Sequence, residues 1–381
     1  MKTDRTHSTR SSVGIRRVDV TLGRRVAVMC ARARLIAVLV VLVVACRVVA
    51  ASMATPAGEQ AQTSPLDPSL RTDFLEGAGQ LPRLRSLLIS VDGRMVEEHY
   101  YRGATADRAA NLKSASKSIV SILVGIAIDH GDIPSVDQSI GTYFPDYFSE
   151  EQDRAKAAIT IQDLLTMQAG LETTSNRNYG RWVQSADWVR HILSRPMLDR
   201  PGRRRSYSTG NTHLLSAILT ESTGMSTLAF GRRYLAQPLG FTLPAWLQDP
   251  QGIYFGGNEM QMTPRAMLSV GELVLADGML DGRQIVSESW VRESMVPRSI
   301  SERSGQEYGY GWWLRTMANY RAYYAWGFGG QFIFVVPDLQ LVVTMTSSPN
   351  LGEGRRQHLR ALYEMVEEQI IPAVRRAALA D

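Results

Sequence analysis

Ser114 and Lys117 stand three residues apart in Asn111-Leu-Lys-Ser-Ala-Ser-Lys117, the only Ser-x-x-Lys in the chain. The sequence then turns apolar at helical spacing through Ile128, and Gly131 supplies a stop. On a helix, positions i and i+3 share a face, so the amine reaches the hydroxyl. A serine attacks a carbonyl only when an adjacent base takes its proton, and a neutral lysine is such a base. The first helical turn adds free N–H groups and a positive dipole end, which favour a developing oxyanion. The plain alternative is a serine capping a helix beside an unrelated lysine. Lysine is scarce here: of 42 basic residues only Lys2, Lys113, Lys117 and Lys156 are lysines. Arginine keeps its proton inside a protein, whereas a buried lysine gives it up. Ser116, Ser118 and Ser121 have no lysine at i+3 and read as helix-packing or polar-face residues; Lys113 reads as a solvated charge.

Two more stretches carry chemistry. Tyr207 stands in the polar turn Arg203-Arg-Arg-Ser-Tyr-Ser-Thr-Gly-Asn-Thr212, just before an apolar helix. A tyrosine there reads as a half-buried wedge, or simply as one of the chain's 14 tyrosines. Ala325-Trp-Gly-Phe-Gly-Gly-Gln331 lies on a predicted strand, where its glycines make a bend or bulge or let a substrate backbone approach.

The elements that must position these residues are readable in outline. Ser86 to Val91 and Arg94 to Tyr101 are two strands around an Asp92-Gly93 hairpin turn. The middle is mostly helical: Thr160–Met167, Ala186–Leu193, Thr212–Ser222, Leu228–Ala236 and a helix opened by Thr263-Pro264. Tyr308–Leu314, Tyr323–Phe328, Gln331–Val336 and Leu339–Thr346 are aromatic and β-branched strands, followed by an amphipathic helix from about 354 to 374. The two ends of the chain therefore make one sheet, with the helical middle, about 114–261, inserted as a lobe and a cleft where the two meet.

Charge and cysteine usage narrow the class. The chain carries +5 overall, but residues 1–50 hold ten Lys/Arg against Asp4 and Asp19, a balance of +8, so the rest is 5 − 8 = −3. The basicity belongs to the leader, and no nucleic-acid footprint is expected. Arginines at 24, 25, 32 and 34 precede an apolar run from Leu35 to Cys46, too short to span a bilayer but suited to a signal peptide. Residues 1–54 are read as a signal peptide or lipoprotein leader, with Val43-Val-Ala-Cys46 offering Cys46 for lipidation and Ser52-Met-Ala54 offering ordinary cleavage. Residues 55–70 are read as a tether, and the product as an exported protein, periplasmic, secreted or membrane-anchored through Cys46. The only other cysteine, Cys30, is also in the leader, so the body has neither disulfide nor thiolate chemistry.

Taken together and in this order, the three elements resemble the serine β-lactamase and penicillin-recognising superfamily, nearest its class C-like branch with the 6-aminohexanoate-dimer hydrolases and many esterases. Leu164-Leu-Thr-Met-Gln-Ala-Gly-Leu171, Asp187–Pro196 and Pro238-Leu-Gly-Phe241 extend the resemblance over roughly residues 70–370. It implies an α/β (α+β) fold: an antiparallel β-sheet flanked by N- and C-terminal helices, plus an inserted all-helical lobe, within a hydrolase domain over 71–381. It implies Ser114 as acylated nucleophile, Lys117 as its base and Tyr207 as proton relay, with the N–H groups of Ser114 and Phe328 as oxyanion hole. Substrate contacts would come from Gly327, Trp326, Thr209, Asn211, Tyr179 and Trp182, with Trp188 as a further apolar wall. Neither cofactor nor metal is implied, and the partner is a small-molecule ester or amide.

The sequence departs from the family in three places. The usual Lys-Thr-Gly is Ala325-Trp326-Gly327, without a cation, unless Arg315 or another arginine supplies one. The Tyr-x-Asn element reads Tyr207-Ser208-Thr209, with Asn211 displaced and available to cap the next helix. A Glu-x-x-Leu-Asn is absent. These favour an esterase or linear-amide hydrolase over a β-lactamase or D,D-peptidase. A non-catalytic penicillin-binding-like sensor is the alternative of another class. Neither Gly-x-Ser-x-Gly nor His-Glu-x-x-His occurs, which disfavours a Ser-His-Asp hydrolase and a zinc peptidase.

Overall fold

The computed structural model describes residues 64–148, 154–350 and 352–378. The leader, with Cys46, lies outside them. Eight strands form one antiparallel sheet: β1 (Leu84–Val91), β2 (Arg94–Tyr100), β3 (Ser299–Ile300), β4 (Glu307–Tyr308), β5 (Trp313–Met317), β6 (Tyr320–Gly327), β7 (Gln331–Val336) and β8 (Leu341–Ser347). Their order is β2-β1-β8-β7-β6-β5-β4-β3, so the N-terminal hairpin docks on the last strand and both ends of the chain share the sheet.

Alternation along the central strands assigns the two faces. Leu87, Ile89, Phe332, Phe334, Val343 and Met345 point to one side. There they meet Phe74 and Ala78 of α1 (Pro68–Gln80) and the C-terminal helix through Leu362, Val366 and Ile370. Leu88, Ile333, Val335 and Val342 point to the other side. They pack against α2 (Ser116–Asp129) and, after α3 (Thr209–Thr223), against α4 (Pro264–Leu275). Each apolar side chain buried this way contributes about 1.5–3 kcal/mol, which makes these two layers the main source of stability.

The helical lobe leaves and re-enters at one neck. Ala110 and Asn111 pair with Met262 and Gln261 in a short ladder, and the Leu112 N–H donates to Met260 O at 2.8 Å. Ser114 lies two residues beyond this clamp. The neck fixes where the chain emerges from the sheet layer.

Two boundaries differ from the sequence reading. Leu66, inside the span read as tether, is fully buried, and Asp67 caps α1 by accepting from the Ser69 and Leu70 N–H groups. The run Tyr308–Leu314 is two strands, because Gly309–Trp312 forms a turn with Gly311 at φ 79°.

On the far face, His358 is buried beneath the β6–β7 turn, with Nε2 2.9 Å from Ser347 Oγ. Burial, and then Arg83, Arg85 and Arg102, push its pKa from 6.5 down to about 4. A neutral folded-state imidazole and a protonated unfolded one mean that stability is complete above about pH 6.5 and falls between 6.5 and 4. The expected loss is on the order of 2–3 kcal/mol. Denaturation midpoints across this range should drop less steeply in His358→Gln; equal slopes would contradict the assignment.

Candidate active site

Ser114 occupies a 3₁₀ turn, Lys113–Ala115, that runs directly into α2. Lys113 has φ 50°, a left-handed conformation that costs about 1–3 kcal/mol for a residue with a Cβ. Three hydrogen bonds hold it. The Lys113 N–H donates to Asn111 Oδ1 at 2.9 Å, Lys113 Nζ donates to Glu259 Oε1 at 2.8 Å, and Asn111 Nδ2 donates to Glu259 Oε2 at 2.6 Å. Lys113 is thus an ion-paired brace for the strained turn, not the solvated charge its sequence position suggests.

Lys117 lies one helical turn on and is only 2% exposed. Its Nζ stands 3.2 Å from Ser114 Oγ, 2.7 Å from Gly257 O and 3.5 Å from Thr209 Oγ1. None of these partners is a carboxylate. Desolvation therefore pushes the lysine pKa down, and the neighbouring Tyr207 opposes this only in part. A neutral amine has two N–H donors and one lone pair, which fits the three partners. In its neutral form the amine donates to Gly257 O and Thr209 Oγ1 and turns its lone pair to the Ser114 hydroxyl; in its charged form it donates to all three. Gly257 must lack a side chain, since a Cβ would sit 2.8 Å from Thr209 Cγ2 and 3.1 Å from Nζ.

Tyr207 precedes α3, with its ring 5.1 Å from Lys117 Nζ and stacked on Trp313 at 6.4 Å. A second segment holds this turn in register. Thr173 Oγ1 donates to Tyr207 O at 2.6 Å, the Thr174 N–H donates to Ser208 Oγ at 3.2 Å, and the Thr209 N–H donates to Ser175 Oγ at 2.8 Å. Sequence reasoning missed Thr173, Thr174, Ser175 and Gly257. Three consecutive hydroxyl residues in an apolar lobe were the available signal for the first three; only the Gly256-Gly257 pair hinted at the fourth.

The end of β6 lies against the Ser114 turn. A Cβ on Gly327 would fall 2.0 Å from Leu112 O, so this glycine admits the chain's own backbone rather than a substrate's. The N–H groups of Ser114 and Phe328 donate to no other described residue. Gly327→Ala forces two backbones apart, at a cost of roughly 2–3 kcal/mol. It should lower the urea midpoint and, by moving Phe328, lower activity in the protein that remains folded. An unshifted midpoint would show that the contact relaxes freely.

The other predicted residues divide. Thr209 touches Lys117, and half-buried Tyr179 accepts from Asn258 Nδ2 at 2.8 Å, next to Gly257. Half-buried Trp326 lies 6.3 Å from Trp313. Trp182 does not form a wall: it is fully buried, 5.2 Å from Trp188 and 5.3 Å from Phe255, and Trp188 is buried with it. Asn211 is buried within α3; its side chain caps nothing, and Nδ2 finds no partner among the described residues. Arg315 is already paired with Glu367 at 2.9 Å and does not replace the missing cation. Ser116, Ser118 and Ser121 are buried helix residues, with Ser118 Oγ donating to Gly311 O at 2.7 Å.

This arrangement can be set beside known proteins. The family description "Beta-lactamase" matches residues 85–365. The chain belongs to the β-lactamase family. Within it, the chain is 25% identical over 331 residues to the 6-aminohexanoate-dimer hydrolase of Paenarthrobacter ureafaciens, covering 77% of this chain and 82% of that one. Solved structures share the fold. A penicillin-binding protein homologue from Caulobacter crescentus has a TM-score of 0.63 at 17% identity, covering 78% of this chain and 96% of its own. A family VIII carboxylesterase has a TM-score of 0.61 at 17% identity, with the same two coverages. The Paenarthrobacter relative is named a hydrolase, and membership of the β-lactamase family supports hydrolase activity.

Proposed function

We propose that the protein is an exported serine hydrolase that cleaves a small ester or linear amide through an acyl-enzyme on Ser114. The observation that carries this is the buried Lys117 amine, free of any carboxylate, 3.2 Å from the Ser114 hydroxyl. Lys117 takes the Ser114 proton as Oγ attacks the carbonyl carbon. The tetrahedral oxyanion is received by the Ser114 and Phe328 N–H groups, donors that no other described residue occupies. Tyr207 gives its proton to the leaving oxygen or nitrogen as that bond breaks, and is reprotonated by the Lys117 ammonium. Water then repeats the sequence on the acyl-enzyme and releases the acid.

Linear substrates are favoured because Ala325 offers no cation and Arg315 is engaged by Glu367. The named amide substrate of the Paenarthrobacter relative supports the same reading. A Ser-His-Asp arrangement finds no support: His213 pairs with Asp249, both fully buried, while His358 meets the buried Ser347. Export rests on the apolar run 35–46, with Cys46 as the proposed lipid attachment point.

The test is labelling with a fluorescent fluorophosphonate and a fluorescent penicillin, on wild type beside Ser114→Ala. Fluorophosphonate labelling should vanish in the variant, and penicillin labelling of the wild type should be weak. Strong, Ser114-dependent penicillin labelling would instead favour a penicillin-binding protein.

A further inference from the structure

Three consecutive arginines precede the candidate relay, and they have different surroundings. Arg203 is exposed, and Arg204 pairs with Glu302 through two hydrogen bonds of 3.0 and 3.1 Å. Arg205 turns inward. Its guanidinium carbon lies 4.8 Å from the Tyr308 ring, 4.8 Å from Trp313 and 5.7 Å from Tyr207. Nε and Nη2 are buried, and neither has a hydrogen-bond partner among the described residues. Arg233 lies over the Tyr234 ring without a carboxylate partner among the described residues, but it is exposed; Arg190, Arg298, Arg315 and Arg321 also lie over tyrosine rings, and each is paired with a carboxylate as well. Arg205 has none.

Arg205 is half-buried, and a cation stripped of part of its hydration without a carboxylate partner is costly; arginine cannot relieve the cost by losing its proton. Aromatic faces offset part of the cost. The remainder calls for a negative charge that arises transiently. Burial pushes the Arg205 pKa down, and the nearby Tyr308 and Tyr207, whose rings the guanidinium lies over, oppose this only in part. Tyr308 is fully buried, so Tyr207 is the one of the two that a reacting group can approach. The other cationic group facing Tyr207 is Lys117, whose charge is disfavoured by burial. A permanent positive charge beside Tyr207 is therefore supplied by Arg205 alone among the described neighbours of that ring.

We propose that Arg205 is a positioning residue that acts through Tyr207 to assist protonation of the leaving group. The inference rests on the proposed role of Tyr207 as relay. When Tyr207 passes its proton to the departing atom, the carbonyl–leaving-group bond breaks with its electron pair on that atom. Until the Lys117 ammonium returns a proton, the Tyr207 oxygen carries negative charge. Arg205, over the Tyr207 ring at 5.7 Å from its centroid, stabilises that charge through space.

The test compares ethyl and p-nitrophenyl esters of butyric acid by kcat/KM, which reports acylation. Ethoxide needs a proton to leave, whereas p-nitrophenolate does not. In Arg205→Met, kcat/KM should fall at least tenfold more for the ethyl ester than for the p-nitrophenyl ester. Arg205→Lys, which keeps the charge, should restore most of the difference. The denaturation midpoint of Arg205→Met should match or exceed that of wild type, because a partly desolvated, unpaired charge is gone. Equal falls for the two esters, or no fall, would overturn the inference while leaving Ser114-dependent hydrolysis intact. If Arg205→Met does not fold, Arg205→Gln decides: a fall at least tenfold larger for the ethyl ester supports the proposal and an ester ratio near wild type overturns it. A wild type without Ser114-dependent hydrolysis of the p-nitrophenyl ester overturns the relay reading and the inference together.

Discussion

Ser114→Ala should retain the wild-type denaturation midpoint and lose about 10⁴–10⁶-fold in kcat, the range for removing the nucleophile of a coupled catalytic unit. The two halves of this result have separate causes. Ser114 is half-buried at the start of a turn whose shape is set by Lys113, Asn111 and Glu259, none of which contacts its hydroxyl. Deleting Oγ removes one long contact to Lys117 and leaves the fold's hydrogen bonds in place. The chemistry fails because no other hydroxyl near Lys117 is placed to attack. Thr209 Oγ1 is buried and engaged with Ser175 Oγ at 2.9 Å, and Ser116 Oγ donates to Lys113 O at 2.8 Å. Residual turnover within tenfold of wild type would mean that the bond is broken elsewhere.

Substitution of Lys117 should separate activity from stability. Lys117→Arg keeps a cation but not a base, and should lower kcat by ~10²–10⁴-fold, the usual contribution of general-base catalysis. Lys117→Met should be equally inactive yet more stable than wild type near neutral pH. Lys117 has a folded-state pKa below its ordinary 10.5, so the unfolded chain binds the proton more readily. Stability therefore rises with pH toward 10.5 and is lost as pH falls through the folded value. At neutral pH the wild type thus bears the cost of a lysine that methionine would not impose. Chemical denaturation of wild type and Lys117→Met at pH 7 and pH 10 checks this: the advantage of methionine should shrink at the higher pH. An active Lys117→Arg, or a destabilised Lys117→Met, would place a charged lysine in the site and contradict its role as base.

How much of this was legible in the sequence depended on the separation of the partners. Ser114 and Lys117 interact within one helical turn, where spacing alone specifies geometry. The sheet was legible because Leu87–Ile89 and Phe332–Val335 alternate between two buried faces and the Asp92-Gly93 turn marks the hairpin; the slip in hairpin register between Ile89 and Ser90 was not. Gly257 was barely legible: its carbonyl arrives from a loop 140 residues away, and the Gly256-Gly257 pair hints at a close approach without saying to what. Trp182 and Trp188 look like binding residues in sequence, yet aromatic side chains on short helices more often meet one another, and here they pack around Phe255. The fate of Arg205 was equally hidden. Three adjacent arginines look alike until Glu302 is seen to engage one and three rings another.

The central claim is that one hydroxyl becomes acylated, and the most direct measurement is the location of a trapped adduct. Wild-type protein treated with a fluorophosphonate, digested and mapped by mass spectrometry should carry a single adduct, on the peptide containing Ser114, and Lys117→Met should form it far more slowly. An adduct on any other serine, or none under conditions that label a control serine hydrolase, would contradict the account.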